Sequence, residues 1–199
     1  MLENIDEEEN LAKMQAGELY YCFTPQLVAA RQRCSRATRK LNNADELTRR
    51  QIAEIWKEIT NDSRPLPPPG ANDAEEDAVL HEYPWIEPPM RLDYGINVKV
   101  GSNVFINHNC VMIDTSPITI GSRTLFGPNV HVYSGGHPTD PEVRNGTLGP
   151  EFGKPVSIGE DCWIGGNVTI LPGDVPPYHV VAGNPARIIR KLQPKTESG

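Results

Sequence analysis

A repeat of six residues runs from Val98 to Gly173 and constrains the fold of this chain more than any other feature. Each repeat opens with an aliphatic or aromatic residue, usually followed by Gly, and has a small or aliphatic residue four positions later. The clearest repeats open at Val100, Ile106, Ile120, Phe126, Ile158 and Ile164. A strand alternates with a period of two and a helix with a period of 3.6, so a period of six fits neither as one long element. Short strands joined by tight corners fit it well.

The repeat therefore predicts a mainly β fold, a parallel β-helix in which three rungs close one triangular coil. The inward aliphatic residues stack from rung to rung, and Gly and Asn near the corners accept backbone angles that branched residues resist. An antiparallel barrel with Gly-rich turns is the alternative. We regard it as the weaker interpretation, because barrel strands rarely keep register at such short spacing.

The chain around the repeat divides into three parts. Residues 1–60 are expected to be helical, with Asp6 and Thr24 as helix starts and Asn42-Asn43 as a break. Residues 61–84 form a Pro-rich, acidic linker, because consecutive prolines cannot continue a helix. Residues 85–193 carry the β-helix and a tail.

One segment interrupts the repeat and is expected to be functional. The loop 133–155 leaves the coil, and insertions into repeat proteins form loops on one face, where function concentrates. His137 lies in it between Gly136 and Pro138. A His on such a rigidly turned backbone is aimed in one direction, which makes His137 the first candidate for chemistry.

Charge and composition exclude several classes of function. The net charge of −7 argues against nucleic acid or an anionic membrane as the main partner. No apolar run approaches the ~20 residues of a membrane span, and the acidic N-terminus does not have the character of a signal peptide. The four cysteines lack metal-type spacing, so we expect buried thiols, a reducing cytoplasmic setting and no metal.

A basic group on the predicted second helix permits two interpretations. It consists of Arg31, Arg33, Arg36, Arg39 and Lys40. Such a run is most often a solvated helix face. The alternative is a surface that attracts an anionic cofactor.

Several stretches together resemble the maltose and galactoside O-acetyltransferases. They are Met14–Tyr20, Ile86–Pro89 with Asp93–Gly95, Gly127–Val130, Gly136–Pro138, Gly153–Val156, Trp163–Gly166 and Ala182–Arg187. The resemblance covers nearly the whole chain. It implies a left-handed parallel β-helix that transfers acetyl from acetyl-CoA to a sugar hydroxyl. It also implies a homotrimer, with each active site between neighbouring β-helices.

The resemblance assigns acceptor-side roles by position. His137 matches the general base, for which the ordinary imidazole pKa near 6.5 is suited. Asn107 matches an amide that stabilises the transition state or binds substrate, although a corner residue of the coil is the alternative. Asp93, Asp114 and Glu151 are candidates for binding sugar hydroxyls or orienting His137, with Glu151 favoured as the orienting group.

Donor-side roles follow in the same way. Trp163, Arg187 and Arg190 match positions near CoA, where Arg would meet phosphate, and the Gly166 N–H is a candidate for holding the oxyanion. The alternatives are that Trp163 packs at the rim and that the two arginines cap a C-terminal helix.

The chain departs from the family pattern after Gly173. There the family continues for about two and a half rungs, which line the acetyl-CoA cleft, whereas this chain runs directly to Asp174-Val175-Pro176. Because three rungs make one coil, loss of nearly one whole coil leaves the following strands on the same faces of the triangle. The β-helix is therefore expected to continue stacking after the deletion. The alternative functions are a catalytically weak or silent binding or scaffold protein and, less favoured, a carbonic-anhydrase-like zinc protein.

Overall fold

The computed structural model describes residues 5–193 and confirms a parallel β-helix preceded by helices. The helices are α1 (Glu7–Ala16), α2 (Pro25–Asn42), α3 (Arg49–Thr60), α4 (Asp73–Val79) and the short α5 (Pro141–Arg144). Two of the starts follow ordinary capping chemistry. The Asp6 carboxylate accepts from the N–H groups of Glu8 and Glu9, and Thr48 with Gln51 forms a capping box.

Among the described residues, sixteen strands form the β-helix, the ribbon at the base of its loop and the ribbon at its end. They are β1 (Trp85–Ile86), β2 (Met90–Leu92), β3 (Val98–Val100), β4 (Phe105–Ile106), β5 (Cys110–Ile113), β6 (Ile118–Ile120), β7 (Leu125–Phe126), β8 (His131–Tyr133), β9 (Gly135–Gly136), β10 (Phe152–Gly153), β11 (Val156–Ile158), β12 (Trp163–Ile164), β13 (Thr169–Ile170), β14 (Gly173–Val175), β15 (His179–Ala182) and β16 (Arg187–Lys191).

The strands stack into three parallel faces. The first face has the order β1-β4-β7-β12-β15, the second β2-β5-β8-β13 and the third β3-β6-β11-β14. Register is kept through the stack, so that Ile106 pairs with Phe126 and Phe126 with Ile164. These three inward side chains are at most 1% exposed. The predicted rung-on-rung core is therefore confirmed, and it includes the buried thiols Cys110 and Cys162.

Asparagine occupies four of the corners that have a left-handed backbone, and Arg123 and Asp161 occupy two others. Asn103, Asn109, Asn129 and Asn167 have φ between 55° and 59°. Asn tolerates this region better than branched residues do, because its short side chain bonds locally to the backbone. The corner chemistry expected from the repeat is confirmed at these positions.

An arginine of the helical segment binds backbone carbonyl groups of α3 and of the start of the coil. Arg33 of α2 donates to the carbonyl of Ile59 at 2.9 Å and to that of Tyr94 at 2.6 Å. Gly95 follows with φ of +78°, and a Cβ built there would lie 2.1 Å from the Ile59 carbonyl oxygen. The chain can pass this close to α3 only without a side chain.

Gly95→Ala is expected to lower the free energy of unfolding by about 1–3 kcal/mol, since it combines a left-handed backbone with a steric clash. Chemical denaturation of both proteins would measure this. Gly146→Ala is the control, because its φ is +57° but nothing lies within 4 Å of its Cβ position. Equal losses in both variants would mean that the clash with Ile59 does not matter.

The segment interpreted as a linker contains one helix. The Asn72 side chain accepts from the Glu75 N–H and starts α4. Glu76 then accepts from the guanidinium of Arg50 at 2.5 Å and from the N–H of Gly70 at 2.7 Å. This ion pair ties residues 70–76 to α3, so the linker is partly ordered against the helical segment.

The coil continues in phase past Gly173. Strand β14 pairs with β11, so that Gly173 lies opposite Val156, and β15 lies directly on β12. Strand β16 then runs antiparallel along β15 and covers the end of the first face. The expected continued stacking of the shortened β-helix is confirmed. Within residues 5–193 no helix is both long enough and apolar enough to cross a membrane.

Candidate active site

The loop that interrupts the repeat is held at its base by a two-stranded ribbon. Strands β9 and β10 pair antiparallel, with Gly136 opposite Phe152, and the Lys154 N–H donates to the Ser134 carbonyl at 2.8 Å. The next residues outward on the two strands are His137 and Glu151. The ribbon therefore brings them together, with His137 Nδ1 lying 4.0 Å from Glu151 Oε2.

Glu151 is held in turn by the N-terminal segment. The backbone N–H and C=O of Tyr20 exchange two hydrogen bonds with those of Glu151, each of 2.9 Å. The Tyr20 hydroxyl also donates to Glu151 Oε1. Tyr20 is fully buried, and burial raises the pKa of its hydroxyl, so it stays a neutral donor. No role for Tyr20 was predicted from the sequence, although it lies in a stretch that carries the family resemblance.

A cavity of about 310 Å³ opens beside these groups. It is lined by Asp93, Ile113, Thr115, Tyr133, Gly135, Gly136, His137, Glu151 and Leu171. The His137 side chain is 60% exposed, whereas that of Glu151 is 17% exposed. The arrangement presents an accessible imidazole whose Nδ1 faces a carboxylate, which leaves Nε2 for a ligand.

Asp93 is the second carboxylate of this cavity. Burial raises its pKa, the guanidinium of Arg31 opposes this shift, and the charge of Glu151 adds to it. Cys22 lies close by, and burial together with Glu151 raises the pKa of its thiol to about 11. The site thus holds more negative charge than positive, and a neutral thiol. Arg31 and Cys22 were not identified as site residues from the sequence.

Asp114 does not line the cavity. It is 0% exposed, and its carboxylate accepts from the N–H groups of Asp93, Tyr94 and Asn97 at 2.8–3.3 Å. Burial raises its pKa to about 6. The structure leaves no room for a sugar hydroxyl at this carboxylate. Asp114 instead holds the turn that presents Asp93, which corrects the expectation of direct substrate contact.

Asn107 lies away from the cavity of its own chain. It follows β4 at a corner of the coil, and its Oδ1 accepts from the His108 N–H at 2.8 Å. It is half-buried and lines no part of the space beside His137. In a single chain the structure therefore does not bring Asn107 and His137 together.

The predicted donor-side residues form a separate group. Trp163 lies on β12 and is 52% exposed, and Gly166 lies in the turn that follows. Arg187 and Arg190 lie exposed on β16, so the alternative that they cap a C-terminal helix is wrong. Trp163 borders a cavity of about 280 Å³ with Arg123, Leu125 and Tyr178. That cavity shares no lining residue with the one beside His137.

Tyr20→Phe is expected to lower kcat by about tenfold, because a hydrogen bond to a charged group is lost while the packing is kept. Steady-state kinetics of both proteins at one pH would measure this. Tyr83→Phe, at a buried tyrosine outside this site, is the control. An unchanged kcat would show that Tyr20 does not act through Glu151.

Comparison with known proteins assigns this chain to a family. Residues 13–59 match the maltose acetyltransferase hexapeptide capping motif. Nodulation protein L of Rhizobium meliloti (strain 1021) is 34% identical over 88% of this chain and 95% of its own length. The chain belongs to the maltose and galactoside O-acetyltransferase family.

Solved structures of similar proteins also match nearly the whole chain. A maltose O-acetyltransferase from Clostridium difficile 630 is 33% identical, with a TM-score of 0.74 over 92% of this chain and 96% of its own. A hexapeptide-repeat acetyltransferase from Vibrio cholerae O1 biovar eltor, complexed with acetyl coenzyme A, is 29% identical. Its TM-score is 0.63, over 93% of this chain and 99% of its own. The chain is thus an acetyltransferase of the hexapeptide-repeat class by family.

The alignment with nodulation protein L also contains positions that have no counterpart in this chain. It extends over 193 positions, but 88% of 199 residues is only about 175. About 18 aligned positions of the relative therefore have no counterpart here. This number equals three hexapeptides, or one coil.

Among residues 5–193, no three His, Cys, Asp or Glu side chains lie together in a way that could hold a metal ion.

Proposed function

We propose that this protein is an acetyl-CoA-dependent O-acetyltransferase that transfers the acetyl group directly to a sugar hydroxyl, with His137 as general base. The observation that carries the proposal is the pairing of His137 with Glu151 across the ribbon, beside a cavity that also presents Asp93. The sugar hydroxyl would bind in this cavity, where Asp93 can accept its hydrogen bonds.

In the proposed reaction, the acceptor oxygen attacks the thioester carbonyl and passes its proton to Nε2 of His137. Glu151 stabilises the imidazolium that forms, because its carboxylate faces Nδ1. The tetrahedral oxyanion would be held by a backbone N–H. That of Gly166 is free for this role, as it has no acceptor among the described residues. When the intermediate collapses, the C–S bond breaks and the CoA thiolate takes the proton from His137.

The complete site is proposed to lie between neighbouring copies of a homotrimer. In one chain, Asn107, Trp163 and His137 lie in separate places, so a single copy does not unite the acceptor and donor groups. An apolar column on the outward side of the first face supports assembly. Trp85, Leu125 and Trp163 occupy equivalent register positions there and are 42–52% exposed. Light scattering in solution would give the number of copies.

A second candidate is a catalytically weak or silent binding protein with the same fold. The observation that favours it is the absence of about one coil, since the resemblance places part of the acetyl-CoA cleft in that coil. We also infer from the family resemblance that the acceptor is a sugar and that the protein works in the cytoplasm.

Calorimetric titration with acetyl-CoA and with free CoA separates the two candidates. Saturable binding, followed by thiol release in the presence of a panel of maltose, glucose and galactosides, would support the enzyme. A folded protein that binds neither ligand at millimolar concentration would exclude the enzyme and leave the silent form.

A further inference from the structure

A second cavity, of about 540 Å³, lies between α2 and the outward side of the second face. One wall consists of Arg31, Ser35 and Arg39, which are spaced four residues apart and so share one side of the helix. Arg91 projects from the opposite wall, on β2. Asn42 fixes the end of the helix over this strand through two hydrogen bonds with the Met90 backbone, of 2.8 and 2.9 Å.

Two arginines of this cavity lack the partners that Lys40 and Arg33 of α2 have. Lys40 is paired with Glu58, and Arg33 is used by backbone carbonyls. By contrast, Arg39 and Arg91 are exposed and have no side-chain hydrogen bond or ion pair with any described residue. Exposure alone fits a solvated face, but Arg39 differs from the equally exposed Arg36 in lining the same cavity as Arg91.

The third guanidinium of the cavity is already oriented. Arg31 donates to the Tyr94 hydroxyl at 2.6 Å and lies 5.3 Å from the centre of the Tyr94 ring. Asp93 is the one carboxylate among the lining residues. Three positive groups against one negative group give this space a net positive charge, although the chain as a whole carries −7.

The positive cavity adjoins the candidate active site. Asp93 and Ile113 line both spaces. A ligand lying across Ile113 can therefore place one end among the arginines and the other beside His137. No residue of the cavity at Trp163 is shared with the arginine cavity, so the acceptor side is the nearer neighbour.

We propose that the arginine cavity binds an acidic group of the acetyl acceptor, a carboxylate or a phosphate, and that the acceptor is therefore an acidic sugar. The inference rests on the proposed function, because it needs His137 to mark the reacting end. Guanidinium groups suit both anions, since they offer two parallel N–H donors to a pair of oxygens. The Asp93 carboxylate, at the boundary of the two cavities, would accept from sugar hydroxyls between the acidic group and the reacting oxygen.

Calorimetric titration without acetyl-CoA tests this binding separately from catalysis. The probes are glucuronate and glucose 6-phosphate, with glucose as the neutral parent and inorganic phosphate as the isolated anion. We expect at least one acidic sugar to bind at least about tenfold more tightly than glucose, with an affinity that falls as salt is added. The pair of acidic probes distinguishes a carboxylate from a phosphate.

The double variant Arg39→Gln/Arg91→Gln should lose this preference by about tenfold or more, while Arg36→Gln should keep it. Arg36 is exposed on the same helix and lies outside the cavity, which makes it a matched control. Equal affinity for glucose and both acidic sugars, or no effect of the double variant, would overturn the inference.

Two outcomes separate this inference from the proposed function. Arginine-dependent binding of an acidic sugar by a protein that does not acetylate it would sustain the site and refute the reaction. Acetylation of neutral and acidic sugars with the same kcat/KM, unchanged for both in the double variant, would do the reverse. Loss of CoA affinity in that variant, with no loss for the sugars, would assign the cavity to the donor and also overturn the inference.

Discussion

Replacing His137 by Ala should lower kcat for acetyl transfer by about 10²- to 10⁴-fold, the usual contribution of a general base. The acceptor hydroxyl is a poor nucleophile while it keeps its proton, and no other imidazole lines the cavity. The measurement is release of the CoA thiol with a saturating acceptor. Uncoupled hydrolysis, measured without acceptor, is subtracted.

The loss should occur without loss of stability, because the His137 side chain is 60% exposed and its nearest Glu151 oxygen is 4.0 Å away. His81→Ala is the control. His81 is exposed and contacts Glu82 and the Ala78 carbonyl, far along the chain from the loop. If His137→Ala keeps its activity to within about threefold, the base is another group and the proposed reaction is wrong.

Replacing Phe126 by Ala should lower the free energy of unfolding by about 3–5 kcal/mol, the usual cost of removing a buried aromatic ring. Phe126 is 1% exposed and lies in the middle of the first face, between Ile106 below and Ile164 above. The inward side chains of a β-helix form one narrow column, so a gap in one rung removes contacts from both neighbours. Urea denaturation at a fixed protein concentration would measure the difference.

Leu148→Ala is the control for this experiment. Leu148 is 54% exposed on the loop, so the loss of its side chain should cost less than about 0.5 kcal/mol. A cost for Phe126→Ala as small as that of Leu148→Ala would mean that the core tolerates an empty rung. In that case the stacked column would not be the main source of stability.

The β-helix was predictable because each rung depends on residues close in sequence. Ile106, Phe126 and Ile164 each open a hexapeptide, and their pairing in the structure follows from the repeat alone. Asn at the corners was equally predictable, since the left-handed backbone is a local property. The helix α4 was missed, because the prolines before it were more conspicuous than the Asn72 cap.

The candidate site was predictable only in part. His137 was identified from the loop and Glu151 from the family resemblance, and the ribbon that joins them is local. The burial of Asp114 was not foreseen, because a conspicuous carboxylate in a repeat has the same sequence pattern whether it faces a ligand or the backbone. The turn that it holds, at Asp93 and Tyr94, became visible only in three dimensions.

What depends on short-range pattern in this protein was therefore contained in its sequence: the rungs, their corners, the interrupted coil and the loop with its His. What depends on distant contacts came only from the folded chain. Tyr20 reaches Glu151 across 131 positions, and Arg39 and Arg91 line one cavity because α2 packs on the second face. The reason is physical. Stacking of neighbouring repeats is specified by local periodicity, whereas docking of the helical segment depends on the shape and polarity of two complete surfaces, which no short motif encodes.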